Sequence, residues 1–360
     1  MPNQIHEDLI ALSLIPGIGH VSLSKLIERF GSAEWVLCLK PSDIRAVDFL
    51  KKPQIEALIK GPETSCLREA LRILRDINAH TVGLNDSEYP SLLRQISDPP
   101  VLLYVIGDMN AIEPAAAIVG TRAPSHYGKD ISFSLARDLS LKGISIVSGL
   151  ARGIDTQAHL GALEGISGTI AVLGSGLDKI YPPENKDLAK RISGNGAIIT
   201  EYGPGTDPRP ENFPKRNRVI SGLSDCIIVI EATLNSGAMI TARLAAEQGR
   251  TCMAVPGAVT NIRSKGPHNL IRQGAVLIES AEDVVAEIAP QLKAILKNNE
   301  PKKENKLLEF LSARPMSIDE AASELKADVA DVLRDMTMLE LGGLIMRIDG
   351  GRYAIRRRNG

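Results

Sequence analysis

Residues suited to gripping an anion gather in a few short turns. Gly120, Thr121 and Arg122 end the apolar run Ala115 to Val119 and precede a helical segment from about Tyr127. Strand, tight glycine turn and helix together present free N–H groups and a positive dipole end to a phosphate. The dinucleotide fingerprint G-x-G-x-x-G is absent, and an arginine stands in the turn instead. Ser148, Gly149, Arg152 and Asp155 follow a second apolar run, and Gly174, Ser175, Gly176 and Asp178 a third. Glu231, Ser236, Gly237 and Thr241 follow a fourth, and Pro256 with Gly257 a fifth. Small residues in such turns leave room for a ligand and offer backbone nests to anions.

Basic side chains crowd the same turns: Arg122, Arg152, Arg209, Lys215, Arg216, Arg218, Arg243, Arg263, Lys265 and Arg272. The densest stretch is FPKRNRVISGLS, where Phe213 and Asn217 stand among the cations. The formal net charge of the whole chain is -1, which excludes a protein that coats DNA by bulk charge. A local positive rim instead suits an extended polyanion. Some of these arginines are expected to pair with Asp155, Asp178, Glu201 or Glu231, and Arg152 with Asp155 is the expected structural bridge. Phe213 reads either as a base-stacking ring or as a plug beneath the helix start.

Catalytic patterns are missing. Ser148 and Ser175 do not sit in G-x-S-x-G, and no evident histidine base accompanies them. His126, His159 and His268 have no metal-ligand spacing, and no Walker A sequence occurs. No carboxylate cluster suggests a two-metal nuclease. Cys38, Cys66, Cys226 and Cys252 form no C-x-x-C pair, so disulfides and structural zinc are not expected. Cys226 and Cys252, inside apolar runs, read as small buried hydrophobes. The rim reads as built to bind, with no cofactor and no metal.

The elements that must position these turns fall into three segments. Residues 1–80 follow helical periodicity, with Pro16-Gly17-Ile18-Gly19 between two helical patterns. That glycine turn fits a helix-hairpin-helix module of the kind that offers N–H groups to a DNA phosphate. The segment carries ten basic and ten acidic side chains, so its pull toward DNA is weak. From about 100 to 290, apolar runs alternate with helices: VLLYVIG, AAAIVG, ISIVSG, TIAVLGSG, AIITEY, CIIVIEA, TCMAVPG and AVLIES. Their continuity marks strands buried on both faces of a mostly parallel, doubly wound sheet. Each polar cluster then lies at a strand's carboxyl end, and the clusters converge on one rim. The expected boundaries are a helical domain over 1–80, a Rossmann-like domain over 81–290, a linker over 291–305 and a winged helix over 306–360. In the last, three helical patterns precede a hairpin turning at Asp349-Gly350-Gly351. No secretory leader or membrane-spanning run is read, so the cytoplasm is the expected compartment.

At these residues the chain closely resembles the DprA/Smf family of DNA-processing proteins. The matching segments run in family order: IVGTRAPSHYG, SGLARGIDTQAH, AVLGSGLDKIYPPEN, ITEYGPG, FPKRNRVISGLSD, VIEATLNSGAMITARLAAEQGR, AVPGAV and GPHNLIRQGA. The resemblance implies an α/β, extended Rossmann-like fold flanked by helical and winged-helix domains. It implies a protein that binds and protects single-stranded DNA and loads RecA recombinase in natural transformation. It also implies a homodimer through the Rossmann-like domain. The family's arginine that grips the strand matches Arg122, and its F-P-x-R-N-R helix start matches Phe213 to Arg218. Arg209 stands where the family has a basic residue upstream, and His268 replaces a frequent asparagine. The residues expected at the strand are thus Gly120, Thr121, Arg122, Ser148, Gly149, Arg152, Gly174, Ser175, Gly176, Arg209, Phe213, Lys215, Arg216, Asn217, Arg218, Ser236, Gly237, Thr241, Lys265, Gly266 and His268. On this reading the Arg122 turn holds a backbone phosphate of DNA.

Two rivals remain. One is a nucleoside-monophosphate glycosidase-like enzyme on a related Rossmann-like fold, but Leu244 stands where its catalytic glutamate belongs. The other is a small-nucleotide-binding protein using the same pocket. In the C-terminal segment the expected recognition helix carries Asp328, Asp331, Asp335 and Glu340 against Arg334. Those charges oppose a duplex and favour a protein-interaction role, while Arg352, Arg356, Arg357 and Arg358 leave a phosphate contact open to the wing.

Overall fold

The computed structural model describes residues 5–109, 114–288, 307, 310–311, 314–325, 327–341, 345–348 and 351–355. Two compact units divide after Ile288.

The first unit opens with six helices: α1 (Glu7–Ser13), α2 (His20–Phe30), α3 (Ala33–Leu37), α4 (Pro41–Arg45), α5 (Lys52–Lys60) and α6 (Thr64–Asp76). Their apolar stripes close on a core that includes Leu12, Ile15, Leu23, Leu26 and Leu58. Helices α1 and α6 also face the sheet, where Ile10, Leu71 and Leu74 pack with Leu102, Tyr104 and Leu173. The helical segment thus has a core of its own and also packs on the sheet. Between α1 and α2, Gly17 turns the chain at φ +81°, and Gln54 of α5 donates to its carbonyl at 2.7 Å.

All eight apolar runs are strands: β2 (Leu102–Gly107), β3 (Ala115–Val119), β4 (Ser145–Ser148), β5 (Thr169–Val172), β6 (Gly196–Thr200), β7 (Cys226–Val229), β8 (Thr251–Ala254) and β9 (Val276–Leu277). A short strand not read from the sequence, β1 (His80–Gly83), pairs antiparallel with β2 at the sheet edge. The nine strands run in the order β1-β2-β6-β5-β4-β3-β7-β8-β9. Strands β3 to β9 are mutually parallel, while β2 joins β6 antiparallel. The short α7 (Ser91–Arg94) connects β1 to β2. Crossover helices α8 (His126–Leu141), α9 (Ile154–Ala162), α10 (Lys186–Ser193), α11 (Asn212–Gly222), α12 (Gly237–Glu247) and α13 (Lys265–Arg272) cover the faces, and α14 (Ala281–Ile288) ends the unit. From β3 the chain winds outward through β4, β5 and β6, then returns to the other side of β3 with β7. This reversal opens a crevice at the carboxyl ends of β3 and β7, where such sheets hold ligands.

In the second unit α15 (Ile318–Leu325) opens with a reciprocal cap. Ser317 N–H donates to the Glu320 carboxylate at 2.8 Å, and Glu320 N–H donates to the Ser317 hydroxyl at 3.2 Å. Helix α16 (Val329–Leu341) follows, then the antiparallel hairpin β10 (Ile345–Ile348) and β11 (Arg352–Ile355). Met316, Val332, Met336, Leu339, Ile345 and Tyr353 form its core with Leu307 and Leu311. These are the last helices and the wing of a winged helix. The linker over 291–305, most of the first helical pattern, Asp349, Gly350 and Arg356 to Arg358 lie outside the described residues.

Candidate nucleic-acid interface

The crevice is a cleft of about 540 Å³. Of the expected residues, Gly120, Thr121, Arg122, Phe213, Arg216, Asn217, Ser236, Gly237 and Thr241 line it. Gly149 and Arg152 border a small recess beside Phe213. The end of β3 and the heads of α11 and α12 supply most of the wall, so residues over 120 positions apart meet at one rim.

The turn after β3 is held from across the switch point. Thr121 N–H donates to the Glu231 carbonyl at 2.7 Å, and the Thr121 carbonyl accepts from Ile154 N–H. The Glu231 carboxylate, 1% exposed, accepts from Ser125 N–H at 2.8 Å, the Ser125 hydroxyl at 2.6 Å and the Asn261 amide at 3.0 Å. Ser125 in turn caps α8 by accepting from Gly128 N–H. This corrects the expectation for the turn's backbone. The head of α8 already holds an anion, and it is the protein's own carboxylate. What the turn presents outward is the exposed Arg122 side chain.

That guanidinium lies 5.6 Å from the centroid of the Phe213 ring, on which Arg216 also closes at 5.9 Å. Phe213 is half-buried and lines the cleft, so it is not a plug sealed beneath α11. Arg216 is 4% exposed and donates to the carbonyls of Gly149 and Val172. Burial pulls it down to about 10 against the opposing pull of Asp155. Burial likewise pushes the Asp155 carboxyl up to about 6, against the Arg216 charge and the N–H groups of Ala151 and Gly149. Gly149 has no alternative here, since a Cβ would stand 2.5 Å from Arg216 Nη2. Opposite, α12 opens on Ser236, whose hydroxyl caps nothing and finds no partner.

The basic rim is smaller than the sequence implies. Arg152 pairs with Glu184, not with Asp155, whose carboxylate accepts from Gly149 N–H at 3.1 Å. Arg218 is 8% exposed and binds Asp98 at 3.1 Å and Glu201 at 2.7 Å. Arg243 pairs with Glu247, while Arg263 and Arg272 donate to carbonyls. Among the described residues, the side chains of Arg122, Arg209, Lys215 and Lys265 are left without a hydrogen-bond or ion-pair partner. Arg209 and Lys215 border a neighbouring groove shared with the Pro16–Gly19 turn, where Asp207 and Glu211 offset their charge.

Several expected contacts lie away from the cleft. Arg218 is held in ion pairs, buried itself and claimed by the buried side chain of Glu201 and half-exposed Asp98. Ser148 is buried and donates to the Ile118 carbonyl at 2.7 Å. Ser175 is buried and donates to the Lys179 carbonyl at 2.7 Å. Gly176 N–H donates to Thr206, and Gly174 lets the Phe213 ring lie close against the backbone. Gly266 serves packing, since a Cβ there would stand 2.6 Å from the Ala232 carbonyl oxygen. Lys265 and His268 belong to α13 and do not line the cleft, and His268 Nε2 meets the Gly257 carbonyl at 3.0 Å. Sequence reasoning missed Tyr181, whose ring lies 5.7 Å from that of Phe213 at 49°. Its signal was available in IYPPEN, an aromatic in a loop after a strand on the same rim.

Comparison with known proteins finds relatives along the chain and in the fold. A family model for DNA recombination-mediator protein A matches residues 80–289, and one for the DprA winged helix domain matches residues 291–351. Protein Smf of Escherichia coli is 35% identical over 342 residues, covering 90% of this chain and 91% of its own. The structure of DNA processing protein A from Streptococcus pneumoniae superposes with a TM-score of 0.70 at 35% identity, covering 79% of this chain and 99% of that one. A structure of the Helicobacter pylori protein, described for its single-stranded DNA binding mode, gives a TM-score of 0.52 at 32% identity over 62% of this chain and 97% of that one.

Proposed function

This chain belongs to the DprA/Smf family of DNA recombination-mediator proteins, and we propose that it binds single-stranded DNA in the cleft between β3 and β7. It protects the strand and loads RecA recombinase onto it in recombination and natural transformation. It works in the cytoplasm and carries out no reaction of its own. One observation carries the reading: exposed Arg122, free of any carboxylate, lies over half-buried Phe213 in a cleft at the switch point. A cation for the backbone beside a ring for the bases is the equipment single strands require. The single-stranded DNA binding described for the Helicobacter pylori protein supports it. The strand contacts in this reading are the cleft residues Gly120, Thr121, Arg122, Phe213, Asn217, Ser236, Gly237 and Thr241, with Arg209, Lys215 and Lys265 outside.

The same reading makes the protein a homodimer. Strand β9 ends the sheet, and its exposed Leu277 supports pairing at that edge.

The test is a titration of labelled oligonucleotides of increasing length at two salt concentrations, with a duplex and AMP as competitors. Affinity rising with length, falling with salt and vanishing in Arg122→Glu is the expected result. Efficient competition by AMP without length dependence would turn the cleft into a mononucleotide site.

A further inference from the structure

We propose that Tyr181 offers nucleobases a second aromatic face beside Phe213, and that Arg152 acts through it as a positioning residue rather than as a phosphate ligand. The inference rests on the single-strand reading above and adds a base subsite to it.

Three observations converge on Tyr181. Its half-buried ring lines both the cleft and the recess beside it, so its face is reachable from the ligand's side. Its centroid is 5.7 Å from that of Phe213, but the planes are tilted by 49°. One flat base therefore cannot lie against both rings. Two rings at that angle suit two neighbouring bases turned apart, which an unpaired strand permits and a duplex does not. Finally, the guanidinium of Arg122 covers Phe213, whereas among the described residues no cation lies over the Tyr181 ring.

Arg152 explains why the Tyr181 ring stays in place. Tyr181 rides on the loop between β5 and α10, and Glu184 lies three residues further on. Both Arg152 Nε and Nη2 donate to that carboxylate, the latter at 3.2 Å. Glu184 holds the guanidinium above its ordinary pKa, with a smaller contribution from the Tyr181 hydroxyl. A guanidinium already neutralised by a carboxylate has little charge to lend a phosphate. What the pair does is fasten the Tyr181 loop to the turn after β4.

The experiment compares oligo-dT with an abasic strand of equal length on the full chain, over a range of salt. Tyr181→Leu keeps apolar bulk in the loop and removes the aromatic face. It should weaken oligo-dT binding about tenfold, the loss of roughly one stacked base, and leave the abasic strand unaffected. Tyr181→Phe should bind as wild type. Arg152→Ala should weaken oligo-dT with an unchanged salt slope, whereas loss of a phosphate ligand would lower the slope by about 0.7. Equal losses on both strands, or wild-type affinity in Tyr181→Leu, overturn the base subsite. A lowered slope in Arg152→Ala overturns the positioning role. Wild-type protein that ignores oligo-dT altogether overturns the single-strand reading itself, and the base subsite with it.

Discussion

The Glu231 carboxylate at the end of β7 accepts hydrogen bonds from both the backbone N–H and the hydroxyl of Ser125 at the head of α8, at 2.8 and 2.6 Å. It occupies the position a pyrophosphate takes in dinucleotide-binding turns. The two halves of the doubly wound sheet are thereby tied together at the point where their order reverses. In the proposed function the Arg122 turn therefore meets a strand with its exposed side chain, not with the helix dipole.

Glu231→Ala should cost about 2 kcal/mol of stability, since it strands Ser125 and Asn261 without their acceptor. Urea unfolding measures it. Affinity for oligo-dT should fall as well, because the turn that aims Arg122 loses its anchor.

Arg122 and Arg218 should behave as opposites. Arg122→Glu removes an exposed, unpaired cation, so it should abolish binding and leave Tm near wild type. Arg218→Met removes the partner of the buried Glu201 side chain and half-exposed Asp98 and should cost about 3 kcal/mol. Thermal melts and oligonucleotide titrations on both variants decide it. A cold Arg122 variant and a stable Arg218 variant would reverse the two roles.

Gly149→Ala should push on the Arg216 guanidinium, which a Cβ would meet at 2.5 Å. Overpacking of this kind costs about 1–3 kcal/mol. The shifted arginine also leaves the Phe213 ring, so affinity for base-bearing strands should drop together with Tm.

Asp98 makes part of the stability depend on acid. Its hydrogen bond to His20, and then the Arg218 charge, hold its pKa at about 2, below the ordinary 3.8. A depressed carboxylate contributes stability above its unfolded pKa and loses it as pH falls through the folded one. The loss should therefore fall between about pH 4 and pH 2. On a half-exposed side chain, solvent screening limits it to about 1 kcal/mol. Melting curves across that window should steepen for wild type relative to Asp98→Asn.

The sheet was legible because its strands are continuous apolar runs, such as CIIVI and AAAIV, that no amphipathic helix would share. Strand β1 was not, since HTVG is four residues of mixed polarity at an edge. The cleft's glycines, Arg122 and Phe213 were legible because turns after buried strands must lie on one rim. The partners of the cations were not. Arg218 meets Asp98 across 120 positions and Arg152 meets Glu184 across 32, and no local pattern encodes such pairings. Counting arginines therefore overstated the free charge at the rim.

The Arg122 guanidinium resting on Phe213 has a kinetic consequence. The guanidinium covers part of a ring that would otherwise face the cleft. If single strands bind here as proposed, an arriving base displaces that guanidinium, giving up about 0.5–1 kcal/mol of cation–π attraction. The displaced arginine is then released beside the incoming backbone. On the single-strand reading, capture of a base and capture of a phosphate become two halves of one exchange.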